Sequence, residues 1–76
     1  MSTKNNPGKF DCYAKAFANE PMFILLGRDK LAPDLVRQWA ERRLEEGEDR
    51  EKVSEAFDCA RAMEKWRLTN PPEKRP

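Results

Sequence analysis

The sequence predicts a small, mainly α-helical protein with a short N-terminal helix, one short extended segment and an antiparallel helical hairpin, assembled as an oligomer. Three observations predict this fold class. The 76 residues suffice for only one small domain. Apolar residues recur at helical spacing in three places. The two longest apolar faces are broader than a single chain of this size can cover.

The chain divides into three parts by composition. Residues 1–8 are polar and contain a proline and a glycine, so we expect a flexible arm. Residues 9–68 form the single small helical domain. Residues 69–76 are rich in proline, which cannot continue a helix, and we expect a disordered tail.

The first helix is predicted over about residues 10–19, because apolar side chains there follow the spacing i, i+3, i+4 and i+7: Phe10, Tyr13, Ala14 and Phe17. We expect these side chains to cover part of the hairpin. The run Met22–Leu26 then lies between Pro21 and Gly27 and is predicted to be an extended strand. No second segment of this chain has strand character, so its partner would be the same strand of a second copy.

The second helix is predicted to be capped by Asp29, to hold Pro33 in its first turn and to run to about Glu46. Gly47 would end it in the left-handed conformation. Its apolar residues span an arc of about 220°, whereas a single helical partner needs about 100°.

The third helix is predicted over about residues 50–68, with Asp49 as its cap. Its apolar arc spans about 200°, again about twice what the hairpin partner requires. This surplus predicts an interface with a second copy or another protein. The candidate interface residues are Phe23, Leu25, Val36, Trp39, Leu44, Phe57, Met63 and Trp66.

Composition argues against catalysis. The chain has no histidine, so it can form neither a Ser-His-Asp triad nor an imidazole metal site. Its acidic cluster Glu41, Glu45 and Glu48 is predicted to be a solvated face with i, i+4 ion pairs, Arg42 with Glu46 and Glu48 with Lys52. We therefore predict no enzyme and no catalytic, cofactor or metal site. Cys12 and Cys59 are predicted to be reduced, buried or half-buried thiols.

Charge and hydropathy constrain the partners. The 15 basic and 14 acidic residues give a net charge of +1 and are mixed along the chain, which disfavours nucleic acid. The longest apolar run, Met22–Leu26, is too short to cross a membrane, and no signal peptide is recognisable. We expect a cytoplasmic protein without a membrane partner.

The turn Gly27–Lys30 is the best candidate for a small ligand. Arg28 and Lys30 would stand beside a helix N-terminus, where amide groups and two cations suit a phosphate or carboxylate. The competing interpretation is an ordinary turn whose Asp29 cap occupies those amides.

Several segments carry a resemblance to proteins of known origin: Glu20–Leu25, Arg28–Pro33, Val36–Ala40, Lys52–Ala56 and Ala62–Trp66. Over about residues 20–66 the chain resembles a group of small proteins of unknown function encoded by phages and prophages of proteobacteria. The resemblance brings no known catalytic or binding residues. It implies a setting in the host cytoplasm, because phage accessory proteins of this size often disable a host defence factor.

These observations predict an oligomeric, non-enzymatic protein that binds itself and a host protein, as a phage-encoded inhibitor. The alternative is an oligomer that sequesters a nucleotide or small anion at Arg28 and Lys30. The second alternative is a small DNA-binding dimer, although the acidic turn at residues 45–49 would meet phosphates unfavourably.

Overall fold

Two long helices packed against each other organise the chain. The computed structural model describes residues 2–74, with α1 (Cys12–Lys15), α2 (Ala32–Glu45) and α3 (Arg50–Thr69), then a single 3₁₀ turn at Pro72–Lys74. α2 and α3 form the hairpin, and the predicted mainly helical fold class is confirmed. Residue 1 of the predicted arm and residues 75 and 76 of the predicted tail lie outside the described residues.

The turn between α2 and α3 is a Schellman motif. Gly47 has a φ of +87°, in the left-handed region. Its N–H donates to the carbonyl oxygen of Leu44 at 3.1 Å, and the N–H of Glu48 donates to that of Arg43 at 2.9 Å. The Arg43 guanidinium also donates to the Glu48 carboxylate at 2.6 Å. The predicted left-handed Gly47 is confirmed.

The two long helices start differently. Asp49 caps α3 as predicted, its carboxylate accepting the N–H of Glu51 at 2.8 Å. The predicted Asp29 cap of α2 is wrong, because that helix begins at Ala32 with Leu31 in the cap position. Asp29 instead accepts the N–H of Leu31 at 2.9 Å. A short aspartate side chain readily closes such a turn two residues ahead, so the polypeptide turns before the helix starts.

Small side chains fill the seam between α2 and α3. The buried apolar side chains are Ala32, Pro33, Ala40, Val53, Ala56 and Ala60. Val36 and Phe57 pack against this seam and remain partly exposed. Within residues 2–74 no large side chain is fully buried. Alanine keeps the two backbones close, so the bulky side chains lie on the flanks of the hairpin.

The first helix is shorter than predicted. α1 covers four residues instead of about 10–19, because Ala16 already has an extended backbone with φ −66° and ψ 141°. Tyr13 and Phe17 are 72% and 82% exposed, so the expectation that they cover the hairpin is wrong. A single helical turn fixes several residues for very few hydrogen bonds and is not self-sustaining, so the i, i+3, i+4 pattern did not extend it.

The apolar run 22–26 forms no strand in the single chain, and residues 2–74 contain no strand at all. Within the described residues, the backbone of 22–25 makes no hydrogen bond. A strand needs a ladder of backbone hydrogen bonds to a partner strand, and the single chain offers none in residues 2–74. Regular structure resumes just beyond the run, where the carbonyl oxygen of Leu26 accepts the N–H of Asp29 at 3.0 Å. No helix in residues 2–74 has both the length and the apolar character to cross a membrane.

Replacing Gly47 should destabilise the fold, whereas replacing Gly27 should not. A β-carbon at Gly47 meets nothing within 4 Å, so Gly47→Ala tests the positive φ alone. We expect a loss of about 1 kcal/mol in the free energy of unfolding, measured by urea titration. Gly27 lacks a positive φ, and its β-carbon would be in ordinary van der Waals contact with Met63, so Gly27→Ala is the matched control. Equal losses for the two variants would contradict the left-handed turn.

Candidate functional site

A cleft of about 600 Å³ lies along α3, between that helix, the N-terminal arm and the segment that precedes α2. We call it the α3 cleft. Ligand pockets in proteins typically measure about 300–1,000 Å³, so the size suits a small molecule. Its lining comes from three separate parts of the sequence: Ser2, Thr3, Lys4, Gly8, Leu25, Leu26, Gly27, Arg28, Glu55, Asp58, Cys59, Ala62, Met63 and Trp66.

The arm is positioned at one end of the α3 cleft by two contacts with α3. Lys9 Nζ lies 2.9 Å from Glu51 Oε2, and this hydrogen bond raises the pKa of Lys9. Gly8 has a φ of +78°, and a β-carbon there would lie 3.0 Å from Glu55 Oε1. The glycine therefore lets the backbone approach the carboxylate closely. The flexibility predicted for residues 1–8 stays a prediction.

The floor of the α3 cleft is one face of α3. Glu55, Cys59, Ala62 and Trp66 follow one another at spacings of four, three and four, which places them in a row along the helix. At 1.5 Å per residue the row is about 16 Å long. Ala62 is the smallest side chain of the row, so the floor is lowest in the middle of the cleft. The row combines a carboxylate at one end with an indole ring at the other.

The segment before α2 forms the opposite wall. Gly27 lies beside α3, where a β-carbon would be in ordinary van der Waals contact, 3.5 Å from the Met63 side chain. This contact brings residues 25–26 and Arg28 to the cleft. Arg28 and Lys4 are exposed, and neither has an ion-pair or side-chain hydrogen-bond partner within residues 2–74. The α3 cleft therefore has two cations available to a ligand.

The structure separates the two cations of the predicted anion site. Arg28 lines the α3 cleft, but Lys30 does not. The carboxylate of Asp29 accepts the N–H of Leu31, so this polar group faces the turn and not a ligand. The second cation in the cleft is Lys4, which the sequence did not indicate, because its place in the lining depends on how the arm folds back.

The candidate interface residues fall into three places. Leu25, Met63 and Trp66 line the α3 cleft. Leu44 and Phe57 line a second depression, of about 860 Å³, beside the hairpin turn.

The remaining three lie outside both depressions. Val36 packs against the alanine seam. The Trp39 ring lies under Lys52 Nζ, 5.9 Å from the ring centroid, and Phe23 is 86% exposed. Their role in an interface stays a prediction.

An ion pair that the sequence did not predict joins the two long helices. Arg37 donates two hydrogen bonds to the Glu64 carboxylate, at 3.1 and 2.5 Å. This contact lowers the pKa of Glu64 and raises that of Arg37. The two residues are 27 positions apart and lie on different helices, so the periodicity of either helix alone does not indicate the pair.

The acidic residues near the turn make ion pairs, as predicted, with one change of partner. Glu48 lies 3.8 Å from Lys52, which confirms the predicted i, i+4 pair. The predicted Arg42–Glu46 pair is replaced by Arg43, which contacts Glu46 at 3.3 Å. The hydrogen bond from Arg43 lowers the pKa of Glu48. Within residues 2–74 no group of acidic or cysteine side chains has the arrangement needed to hold a metal ion.

The two cysteines differ in exposure. Cys59 is half-buried in the floor of the α3 cleft, and desolvation raises its pKa, which keeps the thiol protonated at neutral pH. Cys12 is exposed, contrary to the prediction of a buried or half-buried thiol, because α1 is too short to pack its side chain away. Both thiols are free, as predicted.

Comparison with protein-family models, with curated proteins and with solved structures finds no match to this chain.

The Arg37–Glu64 pair should make stability depend on pH in the acid range. The folded pKa of Glu64 is lowered, so its stabilising contribution is complete above the unfolded value of about 4.3 and is lost as the pH falls through the folded pKa. We expect Glu64→Gln to lower the melting temperature at neutral pH and the difference from the parent protein to vanish at low pH. Glu41→Gln is the control, since Glu41 has no ion pair among the described residues. A difference independent of pH would contradict this role.

Proposed function

We propose that the chain is a non-enzymatic homodimer or larger homo-oligomer that acts in the host cytoplasm by binding and disabling a host defence protein. The observation that carries the proposal is the exposed apolar surface. Twelve large apolar side chains within residues 2–74 are between 39% and 86% exposed. Scattered exposed apolar residues are normal in a monomer, but this number on so small a chain is typical of an interaction surface.

The total surface supports the same conclusion. The chain exposes 6389 Å², whereas a folded monomer of its mass, 8.9 kDa, exposes about 4,800 Å². The radius of gyration is 13.2 Å, compared with about 11.4 Å for a compact domain of this length. The excess of about 1,600 Å² is larger than the roughly 800 Å² that each partner contributes to a standard interface. A single copy therefore has surface to spare for a second molecule.

The segment 22–26 is the best candidate for the contact between copies. Four of its five side chains are more than half exposed, and the backbone of residues 22–25 makes no hydrogen bond within the described chain. Two such segments related by a two-fold axis can pair as antiparallel strands, because each offers the donors and acceptors that the other lacks. The predicted extended conformation would then arise on assembly.

A separate exposed apolar ridge, which we call the α2 ridge, is the best candidate for the contact with the host protein. It consists of Leu31, at the cap of α2, and Leu35 and Trp39 within the helix. The three follow one another at four-residue spacing and are 59%, 46% and 39% exposed. A ridge of this kind fits an apolar groove in another protein, with tryptophan as the anchor. We also propose the phage or prophage origin that the sequence resemblance implies, and such an origin would supply a host target. The acidic turn, with Glu46, Glu48 and Asp49 close together, does not favour the DNA-binding alternative.

Assembly is tested by sedimentation velocity at micromolar concentration. We expect a dimer or larger species for the parent chain and a monomer for the double variant Phe23→Ser, Ile24→Ser. The variant replaces two exposed apolar side chains of segment 22–26, where the copies are proposed to pair. Leu68→Ser is the control, since Leu68 is 85% exposed at the end of α3 and should not alter the mass. A parent chain that is monomeric and whose circular dichroism spectrum shows α2 and α3 folded would contradict the proposal.

The proposed binding of a host protein is tested separately, with variants of the α2 ridge. We expect the parent chain to capture a protein from a proteobacterial lysate and to bind the same protein once purified. Leu35→Ser should weaken that binding, because a buried leucine side chain at an interface contributes about 1.5–3 kcal/mol. Gln38→Ser, on the solvent face of the same helix, is the matched control. Equal binding by both variants, or no protein captured at all, would contradict a role for the ridge.

A further inference from the structure

We propose that the α3 cleft binds a small organic anion, consisting of a flat apolar ring system that carries one carboxylate, sulfonate or phosphate group. The inference concerns the single chain, because the described lining comes from one copy, lies apart from the α2 ridge and shares only Leu25 and Leu26 with the segment proposed for the contact between copies.

The first support is the combination of size and enclosure. The cleft of about 600 Å³ has a floor from α3, one wall from the segment before α2 and another from the arm. A cleft of this volume accommodates a fused ring system, whereas each partner of a standard protein–protein interface contributes about 800 Å². The size therefore favours a small molecule over a macromolecule.

The second support is the chemistry of the floor. Ala62 leaves room at its centre, and Met63 and Trp66 lie beside that space on α3. Indole rings stack on flat apolar groups, and the methionine thioether makes favourable contacts with aromatic rings. A planar ring above Ala62 would contact both side chains.

The third support is the distribution of charge along the cleft. Arg28 follows Gly27, which lies beside Met63, and it belongs to the lining on that wall. Glu55 lies near Gly8, and eight residues of helix place it about 12 Å from Met63. Asp58, the other carboxylate of the lining, is paired with Arg61. Arg28 and Lys4 are the cations of the described lining, and neither has an ion-pair partner within residues 2–74, so we expect the anionic group of a ligand to lie beside them.

Fluorescence titration of the full chain tests the site with two dyes of similar shape: anilinonaphthalene sulfonate, which is an anion, and phenylnaphthylamine, which is neutral. We expect both to bind. Arg28→Gln should weaken the sulfonate about tenfold, the value expected for one hydrogen bond to a charged group, and leave the neutral dye unchanged. Lys30→Gln is the matched control with the same change of charge outside the cleft, and it should affect neither dye.

Filling the cleft tests where the dyes bind. Ala62→Leu places a larger side chain on the floor at an exposed helical position, so the helix should form normally, and circular dichroism checks this. We expect it to weaken both dyes at least tenfold. The double variant Phe23→Ser, Ile24→Ser should bind both dyes like the parent chain, whatever its oligomeric state.

Three results would overturn the inference: no binding of either dye, unchanged binding by Ala62→Leu, or equal effects of Arg28→Gln and Lys30→Gln on the sulfonate. Competition then distinguishes the sources of the anion. Displacement of the sulfonate dye by naphthoate supports a carboxylate ligand, and displacement by naphthyl phosphate supports a phosphate. Displacement by naphthalene methanol as strongly as by either anion would contradict the role of charge.

Discussion

The close packing of alanine against alanine between the two long helices is the constraint on which the rest of the structure depends. Ala40, Ala56 and Ala60 are completely buried, and they allow the helices to approach without interlocking large side chains. Each alanine contributes little apolar area. The seam therefore buries less apolar surface than the core of a larger domain and contributes less to stability. The hairpin consequently relies on its turn, its caps and its ion pairs more than a domain with a large core would.

The same seam determines where the large apolar side chains lie. Because they do not fit between the helices, Trp39, Leu44 and Trp66 lie on the flanks, where they are 39–46% exposed. On one flank the arm and the segment before α2 fold over α3 and enclose a cleft. On the outer side of α2 the ridge stays 39–59% exposed, with Lys52 over its Trp39 ring. The packing of small side chains between α2 and α3 thus leaves room for the α3 cleft and exposes the surface proposed for assembly and host binding.

The charged residues support this arrangement without adding a buried charge. Arg37 with Glu64 connects the two helices, and Arg43 with Glu48 reinforces the turn. Both pairs lie at the surface, where a single ion pair usually contributes less than about 1 kcal/mol. Their main effect is to fix the alignment of α3 on α2, and with it the position of the cleft floor. Arg28 and Lys4 have no such partner in residues 2–74, which makes them the cations most available to a ligand.

The sequence by itself determined the local features: the presence of the two long helices, the left-handed Gly47 between them and the Asp49 cap of α3. These depend on backbone sterics and on hydrogen bonds a few residues apart, which residue types reveal directly. Only the tertiary structure decided that α1 stops after one turn, that 22–26 finds no strand partner, and that Lys4 joins Arg28 while Lys30 does not. These outcomes depend on contacts between distant segments, and a helical wheel gives the angle of a side chain but not what lies opposite it.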